Sequence, residues 1–313
     1  MGKHKFIDLF CGIGGFRLAL EERGCECVFS CDIDPFAQEA YKKNFGEKPE
    51  GDITQIPNGR IPKHDILCAG FPCQSFSISG KMGGISDSRG RLFYEILRIA
   101  EYRKPYVLLL ENVKNILNID GGNVLKMIET QLERIGYDCA TRVLNASYFG
   151  IPQARERAYF VALRKDLKGS VKYKRPQETF KKTFLEDILE SDVDENLYID
   201  RSDIKITKDD KNIESQLKPI RIGAVNKGGQ GERIYSPKGH AITLSAYGGG
   251  VGAKTGLYKT EKGIRKLSLL ECKRVMGFPE KHYVGEGING YRQLGNAVIP
   301  HMIGYVADSI TGL

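Results

Sequence analysis

No stretch of this 313-residue chain approaches the roughly 18 uninterrupted apolar residues that a membrane-crossing helix needs. No Cys-x-x-Cys pair occurs among its eight cysteines, which removes the usual thiol-oxidoreductase pattern. Eight cysteines in so long a chain do not make a disulfide scaffold. Cys25, Cys27, Phe29 and Cys31 share parity, so they are expected to line one buried strand face; no fourth ligand stands near for zinc, and no metal site is expected. Internal repeats and low-complexity tracts are lacking. The segment GGGVGAKT over 248–255 misses a phosphate-binding P-loop, because Ala253 stands where glycine must precede Lys254. Met1 to Lys5 run straight into an apolar segment, leaving no room for a signal peptide. These absences lead to the expectation of a cytoplasmic protein without membrane contact.

What is present fits a globular protein: 41% hydrophobic and 27% charged residues. The net charge of +8 suits a polyanionic partner, since phosphate contacts from Lys and Arg give general nucleic-acid affinity. Strand patterns over 5–10, 25–32, 65–68, 107–111, 139–144 and 158–163 alternate with helical ones over 16–23, 36–44, 92–102 and 124–135. This alternation predicts an α/β fold, a mostly parallel sheet covered on both faces, with ligands at the carboxyl ends of its strands. Past residue 165 the chain turns polar and basic, then Gly-dense and β-prone over 221–256, which predicts a second, smaller, loop-bearing domain. Helical character returns at 268–276 and from Pro300 onward.

The chemistry-bearing segments lie at predicted strand ends. Phe10-Cys11-Gly12-Ile13-Gly14-Gly15-Phe16 forms a tight turn after the first strand; its glycines let a cofactor approach the backbone, or serve an ordinary strand-to-helix turn. Asp32, ending the second strand, is placed to accept hydrogen bonds from ribose hydroxyls. Asp52 either meets an adenine amino group or is a solvated turn aspartate. In Gly70-Phe71-Pro72-Cys73-Gln74 the proline restricts the backbone just before a thiol set among polar neighbours, where a core cysteine is not expected. Glu111-Asn112 ends the neighbouring strand, so its carboxyl shares a lip with Cys73; partly desolvated, it would have a raised pKa and could donate a proton to a ring nitrogen, or it could simply cap the next element. In Gln153-Ala154-Arg155-Glu156-Arg157, alternation puts both arginines on one face, suited to a carbonyl oxygen, a phosphate or the orientation of Glu111, if not merely an exposed basic edge. The loop over 75–91 carries Lys81, Arg89 and Arg91 and has the composition of a lid that closes on phosphates.

Together and in this order, FCGIGGF, GFPCQ, ENV, QARER and the late QLGNAVIP resemble the bacterial DNA (cytosine-5)-methyltransferase family over essentially the whole chain. That resemblance implies a Rossmann-like S-adenosylmethionine-dependent methyltransferase fold with a β-rich target-recognition domain. The catalytic and cofactor-binding domain would span 1–185, completed by 297–313, with target recognition over 186–268 and a hinge over 269–296. It implies Cys73 as the thiolate that adds to cytosine C6, Glu111 at the N3 and amino edge, and Arg157 at the carbonyl with Arg155 supporting it. Phe10, Gly12, Gly14, Asp32, Ile33, Asp52, Ile53, Pro72, Leu92, Asn296 and Val298 map onto the cofactor pocket, S-adenosylhomocysteine being the product.

Because attack above the ring plane is blocked in stacked DNA, the target base must be extruded. Gln230 and Ser79 match positions that fill the vacated space, and Arg233 and Tyr247 match base readers. Ser245, Gly249 and Gly250 lie beside the backbone in that mapping, and Gln74, Lys81 and Arg89 complete the DNA contacts. The segments KGGQGERIYS (227–236) and AITLSAYGGG (241–250) resemble recognition loops of a family member that modifies GCGC, so the inner cytosine of GCGC is the expected target. Two departures bear on cofactor affinity: Ile33 replaces an aromatic that packs on the adenine, and Ala297 replaces a serine. The resemblance implies a monomer of bacterial or phage origin acting on double-stranded DNA, with a companion restriction endonuclease at the same site. An RNA (tRNA) cytosine-5 methyltransferase sharing the catalytic scaffold is the alternative.

Overall fold

The computed structural model describes residues 3–72, 91–167, 169–210 and 212–312. Cys73, Gln74, Ser79, Lys81 and Arg89 lie outside the described residues. The described chain divides into two compact units. The first comprises Met1–Leu144, Glu156–Pro176 and Pro300–Leu313, and the second Asn145–Arg155 and Gln177–Ile299.

In the first unit, β1 (Lys5–Leu9) leads to α1 (Gly15–Glu21), β2 (Glu26–Cys31), α2 (Pro35–Phe45), β3 (Ile66–Gly70), α3 (Arg91–Arg103), β4 (Val107–Val113), α4 (Asn123–Arg134), β5 (Tyr137–Asn145) and β6 (Glu156–Arg164). Local chemistry sets several boundaries. Asp34 caps α2 by accepting the Phe36 N–H at 2.9 Å, Pro35 fills the first turn, and Gly46 ends the helix in the left-handed region. The six strands stand in the order β2-β1-β3-β4-β6-β5. β1 pairs parallel with β2 and with β3, β3 pairs parallel with β4, and β4 pairs antiparallel with β6. The sheet is therefore mostly parallel, as its βαβ alternation predicts. From β1 the chain goes first to β2 on one side and later to β3 on the other, so the order reverses between β1 and β3. A crevice at the carboxyl ends of the strands opens at such a reversal.

One sheet face carries Ile7, Leu9, Leu67, Ala69, Leu108, Leu110, Ala158 and Phe160, all buried in a core that includes Phe93, Ile96, Ile128 and Leu132 from α3 and α4. The expected single face for Cys25, Cys27, Phe29 and Cys31 is not what the register gives. Phe6 pairs with Cys27 but Ile7 pairs with Phe29, a bulge that skips Val28. Cys27 and Phe29 thus fall on opposite faces, because one extra residue reverses alternation beyond it. Phe29 and Cys31 join the Ile7–Leu9 core, while Cys27 lies 3.8 Å from the Tyr41 hydroxyl.

A short strand, β7 (Lys172–Tyr173), ends the second stretch of the first unit. The second unit holds β8 (Lys205–Ile206), β9 (Ile220–Ala224), β10 (Arg233–Ser236), β11 (Leu257–Thr260) and β12 (Gly263–Arg265), ordered β12-β11-β10-β9-β8. Ile220, Ile222, Val225, Ile234 and Leu257 form a small hydrophobic cluster on this sheet. Two helices follow, α5 (Leu269–Val275) and α6 (Gly287–Asn296). No helical signal marks α6 in the sequence, since Gly287, Asn289, Gly290 and Gly295 all have poor helix propensity; burial of Gln293 and Leu294 holds it instead. The chain returns to the first unit through α7 (Pro300–Asp308), which packs on α1, and β13 (Ile310–Thr311), which pairs antiparallel with β7.

The second unit is pinned by a buried ion pair. Arg265, 2% exposed, donates through Nη1 and Nη2 to the Glu271 carboxylate, 0% exposed, both at 2.7 Å. Glu271 also accepts the N–H groups of Ser268 and Glu190, each at 2.8 Å. Removing one partner strands the other charge. Arg265→Met should lower unfolding free energy by about 3–5 kcal/mol, and the double change Arg265→Met with Glu271→Met by less. Urea denaturation checks this; equal losses in the single and double variants would contradict it.

Candidate active site

β3 and β4 run side by side with Gly70 opposite Glu111, which puts the end of one strand beside the carboxylate of the other. Beyond Gly70 the chain is held by Asn112: its Nδ2 donates to the Phe71 carbonyl at 2.8 Å, and its Oδ1 accepts the Val113 N–H at 2.8 Å. Asn112 is buried, so it fixes the backbone two residues before Cys73. The sequence gives no reason to assign Asn112 this role; a polar residue closing an otherwise apolar strand is the one visible signal.

Across β4 on its other side, Val113 pairs with Arg157. Arg157 therefore lies diagonally adjacent to Glu111 on the same sheet face, within reach of a long side chain. Arg157 Nε stands 3.2 Å from Glu111 Oε1, and both side chains are nearly buried. This paired carboxylate and guanidinium can offer one planar ligand an acceptor and several donors at once.

Arg155 does not share that face. The expected alternation fails because β6 begins only at Glu156, and Arg155 belongs to the second unit. There it is 3% exposed and donates to the carbonyls of Leu244 at 3.4 Å, Gly295 at 3.1 Å and Ala297 at 2.8 Å.

The turn after β1 lies at the reversal of strand order. Phe10, Gly12 and Gly14 all have positive φ, at 56°, 53° and 87°. At Gly14 a Cβ would also stand 2.2 Å from the Phe45 ring, so only glycine fits. The Asp32 carboxylate braces this turn, accepting the Gly12 N–H through Oδ2 and the Asp34 N–H through Oδ1, each at 2.8 Å. Burial raises the Asp32 pKa, an effect opposed by those two N–H groups. Ile33 beside it is 72% exposed, and Phe36 is exposed as well. Asp52 Oδ1 caps the turn that begins at the buried Ile53, accepting the Thr54 N–H at 3.0 Å. Leu92 packs against the core from α3, and Pro72 is exposed. A carboxylate, a glycine turn and an exposed apolar side chain thus stand side by side at the reversal of strand order. Asn296 and Val298 fall in the second unit, at and just past the end of α6.

In the second unit, Gln230 and Arg233 flank a short turn, with Arg233 Nε 3.4 Å from the Gly228 carbonyl. The neighbouring segment meets this turn directly, as Gly252 donates to the Gly231 carbonyl at 2.7 Å. Gly249 and Gly250 are exposed, and Tyr247 is 69% exposed with its N–H 3.3 Å from Ser245 Oγ. Lys254 holds this loop: its Nζ donates to the Ala246 carbonyl and stands 5.9 Å from the Tyr247 ring centroid. Sequence reasoning met Lys254 only as a failed P-loop lysine.

Seven cysteines are described, and burial pushes every one of their thiols above the ordinary range, Cys27, Cys31 and Cys139 to about 12. None of the seven is an activated nucleophile at neutral pH. The eighth cysteine is Cys73.

Comparison with known proteins gives a consistent result. A family model described as C-5 cytosine-specific DNA methylase matches residues 4–312. The Type II methyltransferase M.HhaI of Haemophilus parahaemolyticus is 50% identical over 309 residues, covering 98% of this chain and 94% of that protein. The Type II methyltransferase M.MspI of a Moraxella species is 41% identical over 314 residues, covering 98% and 70%. Among solved structures, the Entamoeba histolytica methyltransferase EhMeth superposes with a TM-score of 0.76 at 21% identity, covering 99% of this chain and 98% of that one. The S. pombe Dnmt2 methyltransferase gives 0.74 at 22%, covering 97% of each. At such identities these two structures speak for the fold alone. No described helix is long and apolar enough to cross a membrane.

Asp8, in the strand β1 that leads into the glycine turn, is fully buried. Burial, and then the charge of Asp32, raise its pKa well above the usual carboxylate range, against the pull of Arg17. A carboxyl that binds its proton more tightly when folded loses its stabilising contribution as pH rises from the unfolded value near 4. Asp8→Asn removes that loss, so unfolding free energies measured from about pH 4 to 7 should shift progressively in its favour relative to the parent. Parallel profiles would contradict this.

Proposed function

The chain belongs to the C-5 cytosine-specific DNA methylase family, and on that premise we propose that it methylates C5 of the inner cytosine of GCGC in double-stranded DNA through a covalent bond between Cys73 and C6. The observation that carries the reading is the Glu111–Arg157 pair at the carboxyl end of β4, one strand over from the strand that leads to Cys73. Cys73 stands three positions beyond Gly70, a chain length of at most about 11 Å.

In this mechanism the Cys73 thiolate adds to C6, raising electron density at C5. Glu111 engages N3 and the exocyclic amino edge, stabilising the charge that develops on the ring, and Arg157 donates to the cytosine carbonyl while orienting Glu111. S-adenosylmethionine, held by the residues named below, would supply the methyl group for C5 and be released as S-adenosylhomocysteine. The C5 proton is then lost to a base, the Cys73–C6 bond breaks and aromaticity returns. Burial raises the pKa of each of the seven described thiols, which disfavours them as nucleophiles and leaves Cys73 as the candidate.

Asp32 binds the cofactor ribose and Ile33 offers an apolar face to its adenine. The Phe10–Gly12–Gly14 turn lets the cofactor approach the backbone, and Asp52, Ile53, Pro72, Leu92, Asn296 and Val298 complete the set. Gln230 and Ser79 fill the space the extruded base leaves, for which unstacking and unpairing cost a few kcal/mol. Arg233 and Tyr247 read base edges, with Ser245, Gly249, Gly250, Gln74, Lys81 and Arg89 at the backbone. Residues 1–185 with 297–313 thus carry cofactor and chemistry, 186–268 read the sequence and 269–296 serve as hinge. The protein acts as a monomer, with a companion endonuclease cutting the same sequence.

A GCGC duplex carrying 5-fluorocytosine at the inner position should trap a denaturation-resistant protein–DNA adduct when cofactor is added, since fluorine cannot leave as a proton would. Cys73→Ser should give no adduct. Bisulfite sequencing of DNA from expressing cells should show methylation confined to GCGC. An untrapped duplex would sink the covalent route, methylation elsewhere the sequence assignment, and methylation of tRNA but not of the duplex the choice of DNA.

A further inference from the structure

Arg155 and Gln153 form a clamp within the second unit that the catalytic chemistry does not use. Pro152 accepts the Ala241 N–H at 2.8 Å and Ala154 donates to the Ala241 carbonyl at 2.8 Å, so the 152–155 segment runs alongside the start of the loop that carries Ser245 and Tyr247. Gln153 Oε1 accepts the Leu244 N–H at 3.1 Å, while its Nε2 donates to the Val275 carbonyl at 3.2 Å. Arg155 spans the remaining distance, joining the Leu244 carbonyl to those of Gly295 and Ala297. At that junction the loop backbone and the end of α6 are in direct contact: a Cβ on Gly295 would stand 2.5 Å from the Ala246 nitrogen.

We propose that Arg155 is a positioning residue for target discrimination: its buried guanidinium fixes the Leu244–Tyr247 backbone against the end of α6 and so sets where Ser245 and Tyr247 meet DNA. The physical reason is geometric. Three carbonyls from two separated segments converge on one planar, permanently charged donor set, and lysine, with a single tetrahedral ammonium on a longer flexible stem, cannot span them in the same way. Arg157, two residues on, acts on the base; Arg155 acts on the loop. The inference rests on the reading that this loop recognises DNA.

The test compares Arg155→Lys and Gly295→Ala with the parent and with Arg157→Lys. Gly295→Ala pushes on the same junction without removing a charge, which guards against a fold lost to the buried substitution. Amide hydrogen exchange over 241–256 without DNA, and steady-state methylation of GCGC and single-base-altered duplexes, are the two readouts. Both clamp variants should exchange faster over the loop, raise KM for the GCGC duplex by about tenfold and narrow its preference over altered duplexes, while kcat falls by no more than about threefold. Arg157→Lys should instead lower kcat and leave loop exchange at the parent rate. Unchanged loop exchange, or a preference for GCGC equal to that of the parent, would overturn the positioning role. A parent that itself shows no preference for GCGC would remove the underlying reading of the loop, and this inference with it.

Discussion

Glu111 and Arg157 meet because β4 is paired parallel on one side and antiparallel on the other. Parallel pairing with β3 brings Gly70 opposite Glu111, so both strands finish at the same edge of the sheet. Antiparallel pairing with β6 brings the beginning of β6, where Arg157 stands, to that same edge. A parallel β6 would have put Arg157 at the far end of the sheet. The site is thus a consequence of register, and the mixed sheet is what allows a carboxylate and a guanidinium from strands of opposite direction to converge. Asn112 adds the third element, since a buried amide that holds the Phe71 carbonyl ties the exit of β3 to the tip of β4. Such a hydrogen bond is worth most where water cannot replace it.

The second unit solves a different problem with similar means. Its sheet is small, and buried polar groups tie that sheet to the segments around it. The Arg265–Glu271 pair fastens β12 to α5, and the Gln153–Arg155 segment fastens a Gly-rich loop to the end of α6. Buried polar networks of this kind favour one arrangement, at the cost of strong sensitivity to the loss of any member.

Much of the first unit was legible in the chain because its strands are apolar runs bounded by glycine, proline and aspartate, with helical patterns between them. The glycine turn, Asp32 and the Gly70–Pro72 exit followed from the same pattern. Several features escaped it for definable reasons. The bulge at Val28 reverses the parity of the cysteine-rich strand, and no local residue announces it. The direction of β6 is a tertiary choice that alternation does not encode, and the start of that strand at Glu156 separates Arg155 from Arg157 although they stand two apart. The glycine-rich α6 is held by packing against its own propensity, and the functions of Asn112 and Lys254 depend on carbonyls distant in sequence or placed by a turn.

The central claim is that Glu111 and Arg157 act on the substrate as one unit. A double-mutant cycle on the single-turnover methylation rate, using Glu111→Gln and Arg157→Lys singly and together, measures this directly. The account predicts strong non-additivity, with the double variant scarcely slower than the worse single one. Rate losses that simply multiply would show that the two groups act independently, and would contradict it.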